Sequence, residues 1–258
     1  MTTSATLGKR PFLHVEIRRV PLLRSIEWLR RGWEDLRQLG WASVAHGALI
    51  AILGAVLLML GSTHLYLIAA AVTGYLLVGP VMTTGACELS RRRVAREPLG
   101  FDESLQGVTR NPESLMQFGA VLAAIAIVWF LVSAVMLQSV LHAPTPSLAV
   151  ALWGGMTEPV NRSQILAYVG SGAVLAAIVF TLSVVAVPLI IDRHASAAEA
   201  MWASVKATLW NLPAMLIWGA LILVLTALGF ITLLIGMIIV APLLGHATWH
   251  AYKDLVPQ

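Results

Sequence analysis

Charge is scarce in this chain. Asp, Glu, Lys and Arg make up 12% of its 258 residues, about half the share of an ordinary soluble domain, where roughly a quarter are charged. A sequence so poor in charge cannot clothe a water-exposed surface, and a soluble globular protein is excluded. Cysteine is almost absent as well. The single Cys87 cannot form an internal disulfide, so no bridge reports the redox compartment. No paired cysteines, no Gly-rich phosphate loop and no nucleophile elbow occur, which leaves hydrolase or kinase chemistry without a motif. No short apolar run with a small-residue cleavage site precedes the first long apolar stretch, and the first forty residues are polar and arginine-rich. A cleaved signal peptide is therefore not expected.

What the chain has instead is apolar length: 58% hydrophobic residues and a mean hydropathy of +0.81. A helix needs about 20 apolar residues to cross roughly 30 Å of hydrocarbon. Stretches free of Asp, Glu, Lys and Arg run over 41–60, 65–86, 115–141, 165–191 and 213–249. The last is 37 positions long, about 55 Å at 1.5 Å per residue, too long for one upright crossing. It divides near Gly229 and Phe230, giving six crossings; five, with a kinked last helix, is the alternative. Cytoplasmic loops attract Lys and Arg, and with six crossings sixteen of the seventeen fall on the side of the N-terminus, leaving Arg162 outside. Both termini are then expected in the cytoplasm. The net charge of +4 describes a basic rim facing anionic lipid, without recourse to nucleic acid.

Short strings repeat along the chain. "HGALI" at 46–50, "FGAVL" at 118–122 and "WGALI" at 218–222 open the odd-numbered crossings, and "TRNPESLMQFGAV" aligns with "LWNLPAMLIWGAL" without a gap, Asn111 on Asn211. Even-numbered crossings share a proline near the cytoplasmic end: Pro80, Pro188 and Pro242. An amphipathic segment precedes each unit. In the first, Leu22, Ile26, Leu29, Trp33 and Leu36 recur at helical steps opposite Arg24, Arg31 and Asp35, which fits a helix lying in the interface. Phe101 to Arg110 and Ser196 to Trp210 read as shorter versions. The expected fold is thus all-α: a polytopic membrane protein of about six transmembrane helices in three like-oriented hairpins with cytoplasmic interfacial helices. Residues 1–40 form the N-terminal segment, 41–250 a single transmembrane domain and 251–258 a short cytoplasmic tail. On the first crossing Ser43, Gly47, Ala51 and Ala55 make a small-residue face that lets another helix approach closely.

These residues carry a family resemblance. "VPLLRSIEWLRRGWEDLRQ", "LLVGPVMTTGACELSRR", "RNPESLMQFG", "SVVAVPLIIDR", "WNLPAMLIWGALI" and "LLGHATWHAYKDLV" resemble a bacterial integral membrane protein family catalogued as domain of unknown function 2189. The likeness runs from about Val20 to Val256 and implies a bacterial inner-membrane protein of several helices. The family has no established activity, so no site residue follows from it.

Candidate chemistry is sparse. The apolar stretches hold no Asp, Glu, Lys or Arg, which disfavours a carrier built on a buried carboxylate. His46 reads as a packed residue, since Phe118 and Trp218 hold its repeat position. His246 and His250 lie one helical turn apart, and four and eight residues beyond the repeated prolines stand Thr84, Asp192 and His246, then Glu88, Ser196 and His250. Were the even helices to surround an axis, Glu88, Asp192, His246 and His250 could converge on a divalent transition metal. The simpler reading sets both histidines at a helix C-terminus, with Trp249 and Tyr252 in the interfacial aromatic belt. Arg24, Arg31, Arg91, Arg92 and Arg93 form the basic rim expected to face lipid headgroups. The leading expectation is a non-enzymatic protein, without cofactor, that organises lipid or a membrane-protein complex. A pore or carrier for a small neutral solute and a membrane metalloprotein are the alternatives. The expected partners are the bilayer and other membrane proteins.

Overall fold

Proline, glycine and asparagine cut the apolar stretches into the helices of the computed structural model, which describes residues 15–61, 79–141 and 162–257. These are α1 (Arg24–Leu39), α2 (Trp41–Gly61), α3 (Thr84–Ala95), α4 (Phe101–Arg110), α5 (Pro112–Leu141), α6 (Arg162–Ser183), α7 (Ala186–Arg193), α8 (Ala197–Trp210), α9 (Leu212–Ile231) and α10 (Met237–Leu255). No strand occurs among the described residues. The local causes are legible. Pro112 and Pro213 occupy first turns, where a missing N–H costs nothing. Ser196 and Glu199 form a reciprocal capping box at the start of α8. The long 213–249 stretch does divide, a few residues later than expected: Leu233 and Leu234 take left-handed backbone angles, and Thr232 Oγ1 accepts from the Gly236 N–H at 2.8 Å.

Four helical stretches among the described residues are long and apolar enough to cross a membrane: Trp41–Met59, Pro112–Ser133, Leu166–Arg193 and Leu212–Ile231. This differs from the six expected. The second expected crossing, 65–86, lies largely outside the described residues. The sixth, α10, is not among the four, because the polar residues of its C-terminal half, His246, His250, Lys253 and Asp254, lower its hydropathy; most of that half is buried against protein.

The short helices bind the long ones by one recurrent scheme. α1 lies on α10, α4 on α3, and α8 on α6 and α7. The repeated glycines follow the same order: Gly47 of α2 meets Ile238 of α10, Gly119 of α5 meets Val81, and Gly219 of α9 meets Phe180 of α6. The rings just before them, His46, Phe118 and Trp218, are all buried, and Trp218 packs edge-on against Trp28 of α1, ring centres 5.8 Å apart. On α2 the small-residue face is as expected at Ser43, Gly47 and Ala51, but Gly54 rather than Ala55 is the next buried position.

The aligned asparagines do matching work. Asn111, closing α4, donates to the Ala195 carbonyl at 2.9 Å on the approach to α8. Asn211, closing α8, accepts from the Val20 N–H at 2.8 Å and donates to the Arg18 carbonyl at 3.1 Å on the approach to α1. A backbone bond from Arg18 to the Leu255 carbonyl, 2.8 Å, completes this N-terminal strap, whose Val15, Ile17 and Val20 pack on the core. Asn211→Ala leaves a buried donor and acceptor of the strap unpaired, so it is expected to cost about 2 kcal/mol; Asn111→Ala, which removes a single such bond, should cost about 1 kcal/mol. Thermal unfolding in detergent, followed by tryptophan fluorescence, ranks the two.

Candidate functional site

The polar face of α10 does not look outward. His246 is fully buried, its Nε2 2.8 Å from Ser43 Oγ of α2 and its Nδ1 2.8 Å from Ser90 Oγ of α3. Ser90 Oγ also lies 2.5 Å from Asp35 Oδ2 of α1, where His250 Nε2 stands 3.0 Å away. Arg93 pairs with the other Asp35 oxygen. Proton positions follow from chemistry. An ionised carboxylate only accepts, so Ser90 donates to Asp35 and must accept from His246, which places that proton on Nδ1 and leaves Nε2 to accept from Ser43. Every bond then points one way, Ser43 to His246 to Ser90 to Asp35, with His250 and Arg93 donating from the other side. Gly32 lets α1 come this close: a Cβ there would sit 2.8 Å from the Ala247 backbone nitrogen.

A second cluster lies on α3. Glu88 is fully buried and accepts from Arg91 at 2.9 and 3.0 Å, Arg92 at 2.8 Å and Arg110 at 2.8 Å. Burial alone would raise the Glu88 carboxyl, but the hydrogen bonds and charges of Arg91 and Arg110 hold it below its ordinary value. Glu97 pairs with Arg91 from the exposed side. Asp192 accepts from Tyr252 Oη at 2.7 Å, and Asp254 accepts from Arg24 Nε at 2.6 Å and Trp28 Nε1 at 2.9 Å.

Two expectations are corrected by this geometry. Arg91 and Arg92, assigned to a lipid-facing rim, turn inward onto Glu88, because a buried carboxylate needs compensation more than a headgroup does. Arg24, Arg31 and Arg93 remain partly exposed at the surface, where they pair with Asp254, Glu27 and Asp35. Trp249 and Tyr252, assigned to the interfacial belt, are 1% and 0% exposed. Of the four candidate metal ligands, His246 and His250 join one network through Asp35, Glu88 belongs to the arginine cluster and Asp192 to Tyr252. Among the described residues no three His, Cys, Asp or Glu side chains are grouped to hold a metal ion.

Above Asp35 the surface opens into a depression of about 440 Å³ lined by Glu27, Arg30, Arg31, Glu34, Asp35, Arg93, Val94 and His250. Burial and the Arg31 and Arg93 charges push His250 down to about 4, against the pull of Asp254 and Glu34. In the unfolded chain the same imidazole titrates near its free value of 6.5, so the unfolded state binds the proton first on acidification. The stability this group contributes is complete above about pH 6.5 and is lost as pH falls toward 4. A fall in unfolding temperature of roughly 5 °C between pH 7 and 5 is expected, with a smaller fall in His250→Gln.

Residues 67–192 match a family of predicted integral membrane proteins, DUF2189. The match covers just under half of the chain. It takes in α3 to α6 and all but the last residue of α7, with the whole Glu88 cluster. α1, α2 and the histidine-bearing α10, including the closing string "LLGHATWHAYKDLV", lie outside it. No curated protein and no solved structure matches the chain.

Sequence reasoning missed Asp35, Ser43 and Ser90 as partners of the histidines. Asp35 read as part of a solvent face and Ser43 as a packing residue. The signal available was α1 itself, whose Ser25, Trp28, Gly32, Asp35 and Leu39 recur at helical spacing and are all buried.

Proposed function

We propose that the chain is a non-enzymatic bacterial inner-membrane protein that organises lipid around a collar of interfacial helices, with six crossings in three hairpins and both termini in the cytoplasm. One observation carries this reading. Each of the short helices α1, α4 and α8 packs one face on the protein and leaves large apolar side chains bare on another: Leu22, Ile26 and Trp33; Leu105 and Val108; Trp202, Leu209 and Trp210, all 45% to 63% exposed. A water-facing helix would carry polar residues there, and an interfacial helix sinks such a face into the acyl boundary. Support for the three-hairpin arrangement comes from the repeated glycines, each unit leaning on the one before and the first on the last, and from the aligned asparagines, each of which closes one interfacial helix and reaches the approach to another.

Spin labels test the collar. Cys87 is buried with its thiol pushed away from reactivity by packing, so single cysteines can be labelled in the otherwise natural chain. Labels at Ile26→Cys, Leu105→Cys and Leu209→Cys are expected about 5–10 Å below the headgroup level in proteoliposomes, and a label at Arg30→Cys in water. Water-level readings at all four positions would overturn the proposal.

A further inference from the structure

The depression above Asp35 belongs to the flank of the same collar. At about 100° per residue, α1 has three faces: Ser25, Trp28, Gly32 and Asp35 toward α10, Leu22, Ile26 and Trp33 bare, and Glu27, Arg30, Arg31 and Glu34 charged. The charged face borders the bare apolar one, with exposed Val94 on the opposite wall. A helix lying in the interface with its apolar face down presents such a flank to the headgroup layer.

The lining is balanced: guanidiniums of Arg30, Arg31 and Arg93 against carboxylates of Glu27, Glu34 and Asp35, with His250 neutral near pH 7. A simple anion must break arginine–carboxylate pairs to bind, and leaves carboxylates behind. A simple cation has the converse problem. A zwitterion loses neither partner, because its phosphate takes the guanidiniums in paired hydrogen bonds while its ammonium takes the carboxylates. The pairs that must open are the cheap ones. Arg30 bridges Glu27 and Glu34, and its side chain and that of Glu34 are 62% and 45% exposed, where an ion pair is worth about 0–1 kcal/mol. The buried Asp35 pair need not move. The volume lies in the range of small-ligand sites, about 300–1,000 Å³.

We propose that this depression holds the headgroup of a zwitterionic phospholipid with a primary ammonium, a phosphatidylethanolamine, its phosphate on Arg30, Arg31 and Arg93 and its ammonium on Glu27 and Glu34. The acyl chains leave along the bare face of α1. A choline headgroup has no N–H to give the carboxylates, and a glycerol headgroup has no cation. The proposal rests on the interfacial placement of α1 and adds the lipid class.

The full chain in mixed micelles with equimolar phosphatidylethanolamine, phosphatidylglycerol and phosphatidylcholine of matched acyl chains, examined by native mass spectrometry, tests it. Retention of phosphatidylethanolamine about ten-fold above each of the others is expected, the effect of one or two charge-assisted hydrogen bonds. Arg30→Gln and Glu34→Gln, both at exposed positions that the fold does not use, should each bring it to the phosphatidylcholine level. Equal retention of the three lipids, preference for phosphatidylglycerol, or an undiminished preference in the Arg30→Gln, Glu34→Gln double variant would overturn the site. Displacement of the lipid by millimolar soluble phosphoethanolamine would overturn the lipid as occupant in favour of a soluble zwitterion. The spin-label depths do not depend on lipid class, so failure of the headgroup site and failure of the collar are read separately.

Discussion

Glu88→Ala is expected to destabilise the protein by about 3–5 kcal/mol, the cost of stranding buried charge by removing one partner. Three guanidiniums converge on that carboxylate, and the side chains of Arg91 and Arg92 are 10% and 8% exposed. Without Glu88 they face one another, with the carboxylate of Glu97 and, for Arg92, the neutral acceptors of Pro98 and Gln106 left to them. Glu97→Ala removes a carboxylate whose side chain is 37% exposed, and should cost no more than about 1 kcal/mol. The contrast identifies burial, not charge count, as the cause. Replacing Glu88 and Arg91 together by methionine should recover part of the loss, because an apolar pair of similar volume removes charge and counter-charge at once. Thermal unfolding in detergent, read by tryptophan fluorescence, measures all three; a Glu88→Ala chain as stable as Glu97→Ala would contradict the cluster.

The repeated glycine gives the second large effect. Gly47→Ala is expected to cost about 3 kcal/mol or more, the upper range of overpacking, because the place of its Cβ is filled by the Ile238 carbonyl. Backbone cannot rotate aside, so α2 and α10 must separate and pull Ser43 from His246. Gly119→Ala and Gly219→Ala should instead be neutral or stabilising. Their nearest neighbours, Val81 Cγ2 at 3.9 Å and Phe180 Cζ at 3.8 Å, leave room for a methyl group, and alanine is preferred over glycine in a helix by about 1 kcal/mol. Three aligned glycines thus split into one that is required by contact and two that are not. Equal losses at all three, in the same unfolding assay, would place the tight crossing elsewhere.

Much of the architecture was legible because apolar length and end signals are local. α4 begins and ends at the residues read from "FDESLQGVTR", and α8 starts one residue after its capping serine. Where α10 belongs was not legible. A charge-free stretch ending at residue 249 looks like a crossing, and only the neighbours reveal that its last turns are covered by α1 and α3. The same blindness misplaced the arginines. "ELSRRR" read as a basic run facing lipid headgroups, yet Glu88 and its three partners are sequence neighbours or come from α4, and the helix folds them into one buried knot. Helical spacing could have shown the third face of α1. It was hidden because Asp35 shares a register with tryptophan and glycine, and a lone carboxylate reads as solvent-facing until its partners are known.

The clasp between α1 and α10 also sets an order of assembly. Asp35 and His250 are 215 positions apart, and synthesis at about 5–20 residues per second separates their appearance by roughly 10–40 s. Throughout that interval Trp28, Gly32 and Asp35 have no cover, and the first helix made waits for the last. A chain that stops before Met237 lacks the helix that covers this face of α1.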